Sequence, residues 1–202
     1  VKKWCCVAIV GLSTSSFADR IVNVPIGRSL SFGSVRYEQI DGLNERGTRE
    51  QFLAISPIKL FEIEFRNRYR TYEDSNFTFD IARNLAPAIT STSPGISIGV
   101  LDTLNQTSDG RRGFIALTFK ELFEVSDEGE PGELTLGWQV GSKNSGFVGT
   151  TLSLSPRTRL FAEHNGFRLT AGFDSEIAKG VRARIMTQDN LLLGGISLVK
   201  KF

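Results

Sequence analysis

Phe61-Glu62-Ile63-Glu64-Phe65-Arg66-Asn67-Arg68-Tyr69-Arg70 decides how the rest of the chain is read. Apolar and charged residues alternate along it. Period two places successive side chains on opposite faces of a strand. One face carries Phe61, Ile63 and Phe65; the other carries Glu62, Glu64, Arg66, Arg68 and Arg70. Arg182 and Arg184 lie likewise opposite Val181, Ala183 and Ile185. A soluble sheet turns its apolar face to a core and its polar face to water. A face this charged is also what lines a wet barrel lumen, with the apolar face turned to lipid.

Working outward, the same alternation recurs. Phe77-Thr78-Phe79-Asp80-Ile81, Leu134-Thr135-Leu136-Gly137-Trp138-Gln139-Val140 and Phe167-Arg168-Leu169-Thr170-Ala171-Gly172-Phe173 each have one apolar face. The other faces carry Thr, Gly, Asp, Gln or Arg. Turn-forming residues separate the segments, and no segment has a helical period. The pattern predicts about twelve strands, with ten as the alternative. They fall near 29–40, 49–56, 58–70, 75–84, 95–103, 112–120, 132–141, 146–154, 157–164, 167–175, 179–187 and 191–202. An even number suits a bacterial single-chain barrel. No open edge can be satisfied in lipid, so the sheet must close. The expected fold is therefore all-β, a closed antiparallel transmembrane β-barrel.

Ala54-Ile55-Ser56-Pro57-Ile58 and Ser153-Leu154-Ser155-Pro156-Arg157 resemble each other. Both are expected as Ser-Pro turns between strands, since Pro presets φ and cannot donate to a ladder. Asn165-Gly166 has the composition of a two-residue type I′ turn. The acidic 121–131 loop is expected to be exposed. Counting back from Phe202, both Ser-Pro turns fall on the periplasmic side and residues 102–112 fall outside.

Residues 1–18 read as a signal peptide. Lys2 and Lys3 precede the apolar run Trp4–Leu12, and Ser16-Phe17-Ala18 is a small-x-small cleavage site. A buried N-terminal strand or helix is the competing reading. Residues 19–202 would then form the barrel domain. Cys5 and Cys6 are the only cysteines, and both lie inside the signal, so cleavage leaves no thiol for a disulfide or a metal. The chain has 24 basic and 22 acidic residues; losing Lys2 and Lys3 leaves 22 of each. That balance argues against a nucleic-acid partner, which needs clustered positive charge. No apolar stretch is long enough for a membrane-spanning helix.

At the C-terminus, Leu192, Gly194, Ile196, Leu198 and Phe202 share one parity, interrupted by Lys200. Ile196, Leu198 and the terminal Phe202 resemble the signal read by the outer-membrane barrel assembly machinery. The segments Pro94–Leu104 and Gly113–Lys120, and Leu160–Phe167 with Ala171-Gly172-Phe173, resemble the YjbH-like family of outer-membrane barrels. The resemblance covers about residues 94–202. His164 stands where that family usually has Tyr. The resemblance implies a role in exopolysaccharide traffic, and members of that family are larger than this chain.

A lumen-lining charged network is expected from Glu62, Glu64, Arg66, Arg68, Arg159, Glu163, Arg182 and Arg184, with an ion pair between Arg159 and Glu163. Glu62 and Glu64 are expected to pair with Arg66 and Arg68 rather than serve acid–base chemistry. His164 is the only histidine and shares the lipid-facing parity of Leu160 and Ala162. No His-x-Ser arrangement accompanies it, and no metal spacing or phosphate loop appears. No catalytic residue, cofactor or metal is expected. The expected function is a non-enzymatic barrel of the bacterial outer membrane, among lipid and lipopolysaccharide, supporting polysaccharide export or passage of small solutes. The alternatives are a structural or assembly barrel, a membrane-embedded lipid-modifying enzyme, and a soluble periplasmic β-sandwich.

Overall fold

The computed structural model describes residues 22–26, 30–45, 47–70, 73–88, 92–120 and 132–202. The expected signal peptide and the acidic 121–131 loop lie outside the described residues. Twelve strands form one closed sheet: β1 (Ser34–Gly42), β2 (Arg49–Ile58), β3 (Phe61–Arg70), β4 (Glu73–Ala86), β5 (Gly95–Leu101), β6 (Arg112–Lys120), β7 (Glu133–Gly141), β8 (Ser145–Ser153), β9 (Thr158–His164), β10 (Leu169–Ala178), β11 (Val181–Gln188) and β12 (Leu191–Lys201). Each pairs antiparallel with its sequence neighbour. β1 closes the ring on β12, from Ser34 opposite Lys201 to Gly42 opposite Leu193. The fold class is thus an all-β closed barrel of twelve strands. Among the described residues every strand belongs to this one closed sheet, so the Phe-rich faces do not pack on a second sheet as the β-sandwich alternative requires.

Alternation fixes which side chains go inward. In β3, Phe65 faces out and packs on Phe77 and Phe79 of β4, with ring centroids 6.1 and 5.2 Å apart. Glu64, one residue away, is buried inside. Across β6 and β7, Phe114, Ala116, Thr118, Thr135 and Gln139 are buried, while Ile115, Leu136, Trp138 and Val140 are exposed. The same outward exposure holds for Leu53, Ile98, Leu160, Phe173, Ile185, Ile196 and Leu198. A polar interior inside an apolar wall is the reverse of a soluble domain.

Two turn expectations are corrected. Pro57 lies inside β2, not in a turn: the register with β3 shifts between Ile55 and Ile58, and the chain reverses at Lys59-Leu60, with Leu60 at φ 64°. A residue with no N–H to give fits a bulge, where the ladder is already interrupted. At the second site, Pro156 does lie in the turn between β8 and β9. Asn165-Gly166 is not a two-residue turn. The β9–β10 connection is four residues, 165–168, and only Gly166 has positive φ. The Asn165 side chain accepts from the N–H groups of Phe167 and Arg168, holding a wider loop.

The lumen is not left to the wall side chains alone. Residues 22–26 and 30 lie within it, and Val22, Val24, Ile26 and Leu30 are buried. Leu30 packs on Ala54 near the rim where β12 ends. Asn23 reaches Glu163, one residue from the opposite end of β9. Residues 22–26 and Leu30 thus lie in the barrel interior, and Gly33, at φ 74°, leads into β1.

Candidate functional site

The lumen holds the charged groups in sets that are ion-paired largely across strands. Asp174 of β10 is the hub of the first. Arg159 of β9 donates through Nε to Oδ1 at 2.9 Å and through Nη2 to Oδ2 at 2.9 Å. Arg182 of β11 donates to Oδ1 at 3.0 Å, and Arg184 to Oδ2 at 3.4 Å. Arg184 also donates to Glu38 of β1 at 2.8 Å, and its guanidinium lies 5.0 Å from the Phe161 ring centroid. These positions follow from register: Asp174 stands opposite Arg159 on one side and Arg184 on the other. Planar, multi-donor guanidinium suits shared carboxylates better than ammonium.

The second set is built on β3. Glu64 accepts from Arg36 of β1 at 2.9 Å and from Arg66 at 3.2 Å. Arg66 lies 4.7 Å from the Phe52 ring centroid. Arg68 pairs with Glu50 of β2, Nε to Oε1 at 2.6 Å. Glu62 accepts from the backbone N–H of Leu30 at 2.9 Å.

All eight expected network residues thus turn inward. The expected Arg159–Glu163 ion pair is corrected: Arg159 takes Asp174, one strand over, and Glu163 takes the N-terminal segment. The Glu163 carboxylate accepts from Asn23 N–H at 2.9 and 3.0 Å, from Val24 N–H at 3.1 Å and from Asn23 Nδ2 at 3.0 Å. Arg66 donates to Asn23 Oδ1 at 3.1 Å, and Ser97 Oγ donates to the Ile26 carbonyl at 2.9 Å. The side chain of Arg70 lies outside the described residues.

Sequence reasoning missed Asp174, Arg36, Glu38 and Glu50. Parity with Thr170 marks Asp174 as inward, but its role depends on the register of β9 and β11. It also missed an apolar lining in an otherwise polar lumen. Val22 and Ile26 pack with Ile40, Phe52, Phe161, Met186 and Leu193. Val24 packs with Leu101, Phe114, Ala116 and Phe147.

Beyond Asn23 and Pro25, toward the far rim, a cavity of about 60 Å³ remains, lined also by Arg66, Arg68, Arg112 and Arg168. His164 faces outward and is exposed, its Nδ1 accepting from Gly166 N–H at 3.2 Å. Ser153 is buried at the other end of that hairpin, and Ser155 Oγ is used within its own turn. No Ser–His pair is assembled among the described residues. Phe202 is exposed beside Lys200, and its N–H bonds the Gly33 carbonyl at 2.9 Å. Ile196 and Leu198 share its outward face.

Comparison of the chain with protein-family models, with curated proteins and with solved structures finds no match. The closed barrel is compatible with a protein of the outer membrane.

Proposed function

We propose that this protein is a non-enzymatic β-barrel of the bacterial outer membrane that supports envelope export or passage. One observation carries the reading: the twelve-strand wall is apolar outside and charged inside. Exposed apolar surface that encircles a whole protein is an aggregation hazard in water and a requirement in lipid. The barrel would sit among outer-membrane lipid and lipopolysaccharide, delivered by the assembly machinery through the strand that ends in Ile196, Leu198 and Phe202. The signal peptide over residues 1–18 belongs to the same reading.

A part in exopolysaccharide traffic is supported by the family resemblance of residues 94–202. Residues 22–26 occupy the lumen against both of its apolar clusters, where a sugar chain would have to pass. Support of a larger export assembly therefore fits better than conduction of the polymer itself. A non-enzymatic role is supported by the isolation of His164 from Ser153 and Ser155.

The test is membrane fractionation of the expressed protein, with a heat-modifiability gel on the same sample. Recovery in the outer membrane with a faster-migrating unheated band is expected. Recovery in the soluble periplasm with no shift would overturn the reading.

A further inference from the structure

We propose that residues 22–26 form a displaceable gate, and that the lumen they vacate conducts small hydrophilic solutes. The inference rests on the outer-membrane reading. Every β-strand backbone bond of the barrel is made without it, and the ring is closed by β1 on β12. Among the described residues, no backbone–backbone hydrogen bond links 22–26 to a strand. The segment is held by side chains: Glu163, Arg66 and Ser97 on its polar groups, and the two apolar sockets around Val22, Val24 and Ile26. Its departure costs the ladder nothing.

The wall is also prepared for that departure. The ion pairs of Asp174 with Arg159, Arg182 and Arg184, of Glu64 with Arg36 and Arg66, and of Glu50 with Arg68 join wall residues to one another. These pairs do not depend on the segment, although Arg66 gives up its bond to Asn23 when the segment leaves. The Glu163 carboxylate accepts from the Asn23 and Val24 N–H groups and from the Asn23 amide, which makes it the latch. A lumen of mixed, internally paired charge has no strong preference for either sign of ion, so the class conducted is small and hydrophilic rather than specifically anionic or cationic. Twelve strands enclose more room than the eight whose interior side chains alone can fill.

The experiment uses the full chain reconstituted in liposomes, with a heat-modifiability gel on each variant and uptake of an uncharged pentose as the readout. Val24→Asp places a carboxylate in the Leu101–Phe114–Phe147 socket without touching the wall, and deletion of residues 22–26 removes the segment outright. Both are expected to admit the pentose on the order of tenfold faster than the wild type, and Glu163→Gln several-fold faster. A synthetic peptide with the sequence of residues 22–30 is expected to slow uptake by the deletion variant again. Heat-shifted, inserted variants that stay as closed as the wild type would overturn the gate. So would loss of the heat-shifted band in both segment variants, because the proposal requires a wall that stands alone. A wild type that neither inserts nor shifts fails earlier, at the membrane reading itself.

Discussion

Asp174 meets three guanidinium groups with one carboxylate, and its own side chain is almost fully buried. A buried charge set of this kind adds little over a well-packed apolar core, yet losing one partner strands the others. Asp174→Asn is therefore expected to cost about 3–5 kcal/mol. A lowered urea midpoint of unfolding in lipid would register it; an unchanged midpoint would mean water already satisfies the arginines. Arg159→Lys is a milder test at the same place. It keeps the charge and loses the two-point contact, for which about 1–2 kcal/mol is expected. Inward parity was legible for these residues from the sequence. Partner choice was not: Glu163 and Arg159 share a strand face, but cross-strand register offered Arg159 a nearer carboxylate.

Among the elements, β7 and β5 show how glycine shapes the lumen. Gly137 faces inward between Thr135 and Gln139, and a methyl there would overlap the Phe147 ring and crowd the Ile115 carbonyl. Gly99 stands in the same relation to the Phe114 ring. Both rings therefore lie against the wall, where Val24 packs on them. Gly137→Ala must push Phe147 toward Val24. A destabilisation of roughly 1–3 kcal/mol is expected from such overpacking, with the denaturant midpoint as the measure. Strand placement was legible throughout, because period two survives any neighbour. Turn geometry was less so. Pro57 reads as a turn residue in isolation, but the register of β2 on β3 puts it in a bulge and moves the reversal to Leu60. β12 carries a further prediction. Deleting Phe202 is expected to reduce outer-membrane recovery in cells while leaving refolding into liposomes in vitro unaffected. Equal losses in both would assign Phe202 to stability, through its bond to Gly33, rather than to delivery.

For the whole molecule, the inverted distribution of polarity is the property with the largest consequence. Ile115 lies in the middle of β6 with Trp138 beside it, both exposed on the outer wall. Ile115→Arg is expected to weaken folding into a bilayer by roughly 2–4 kcal/mol. The measurement is the equilibrium midpoint in liposomes, and a tolerated arginine would place that face in water.

The sequence by itself determined the all-β class, the twelve strands and the inside–outside parity of the wall. These depend on alternation and turn residues, which are local and repeat at every strand. Only the tertiary structure decided that Asp174 is a hub, that Glu163 holds Asn23 and Val24, and that the lumen is occupied. Register selects the partner across the sheet, and ring closure brings residue 23 beside residue 163. Neither separation leaves a mark in the order of the residues, because a side chain facing the lumen looks the same whether water or another part of the chain meets it there.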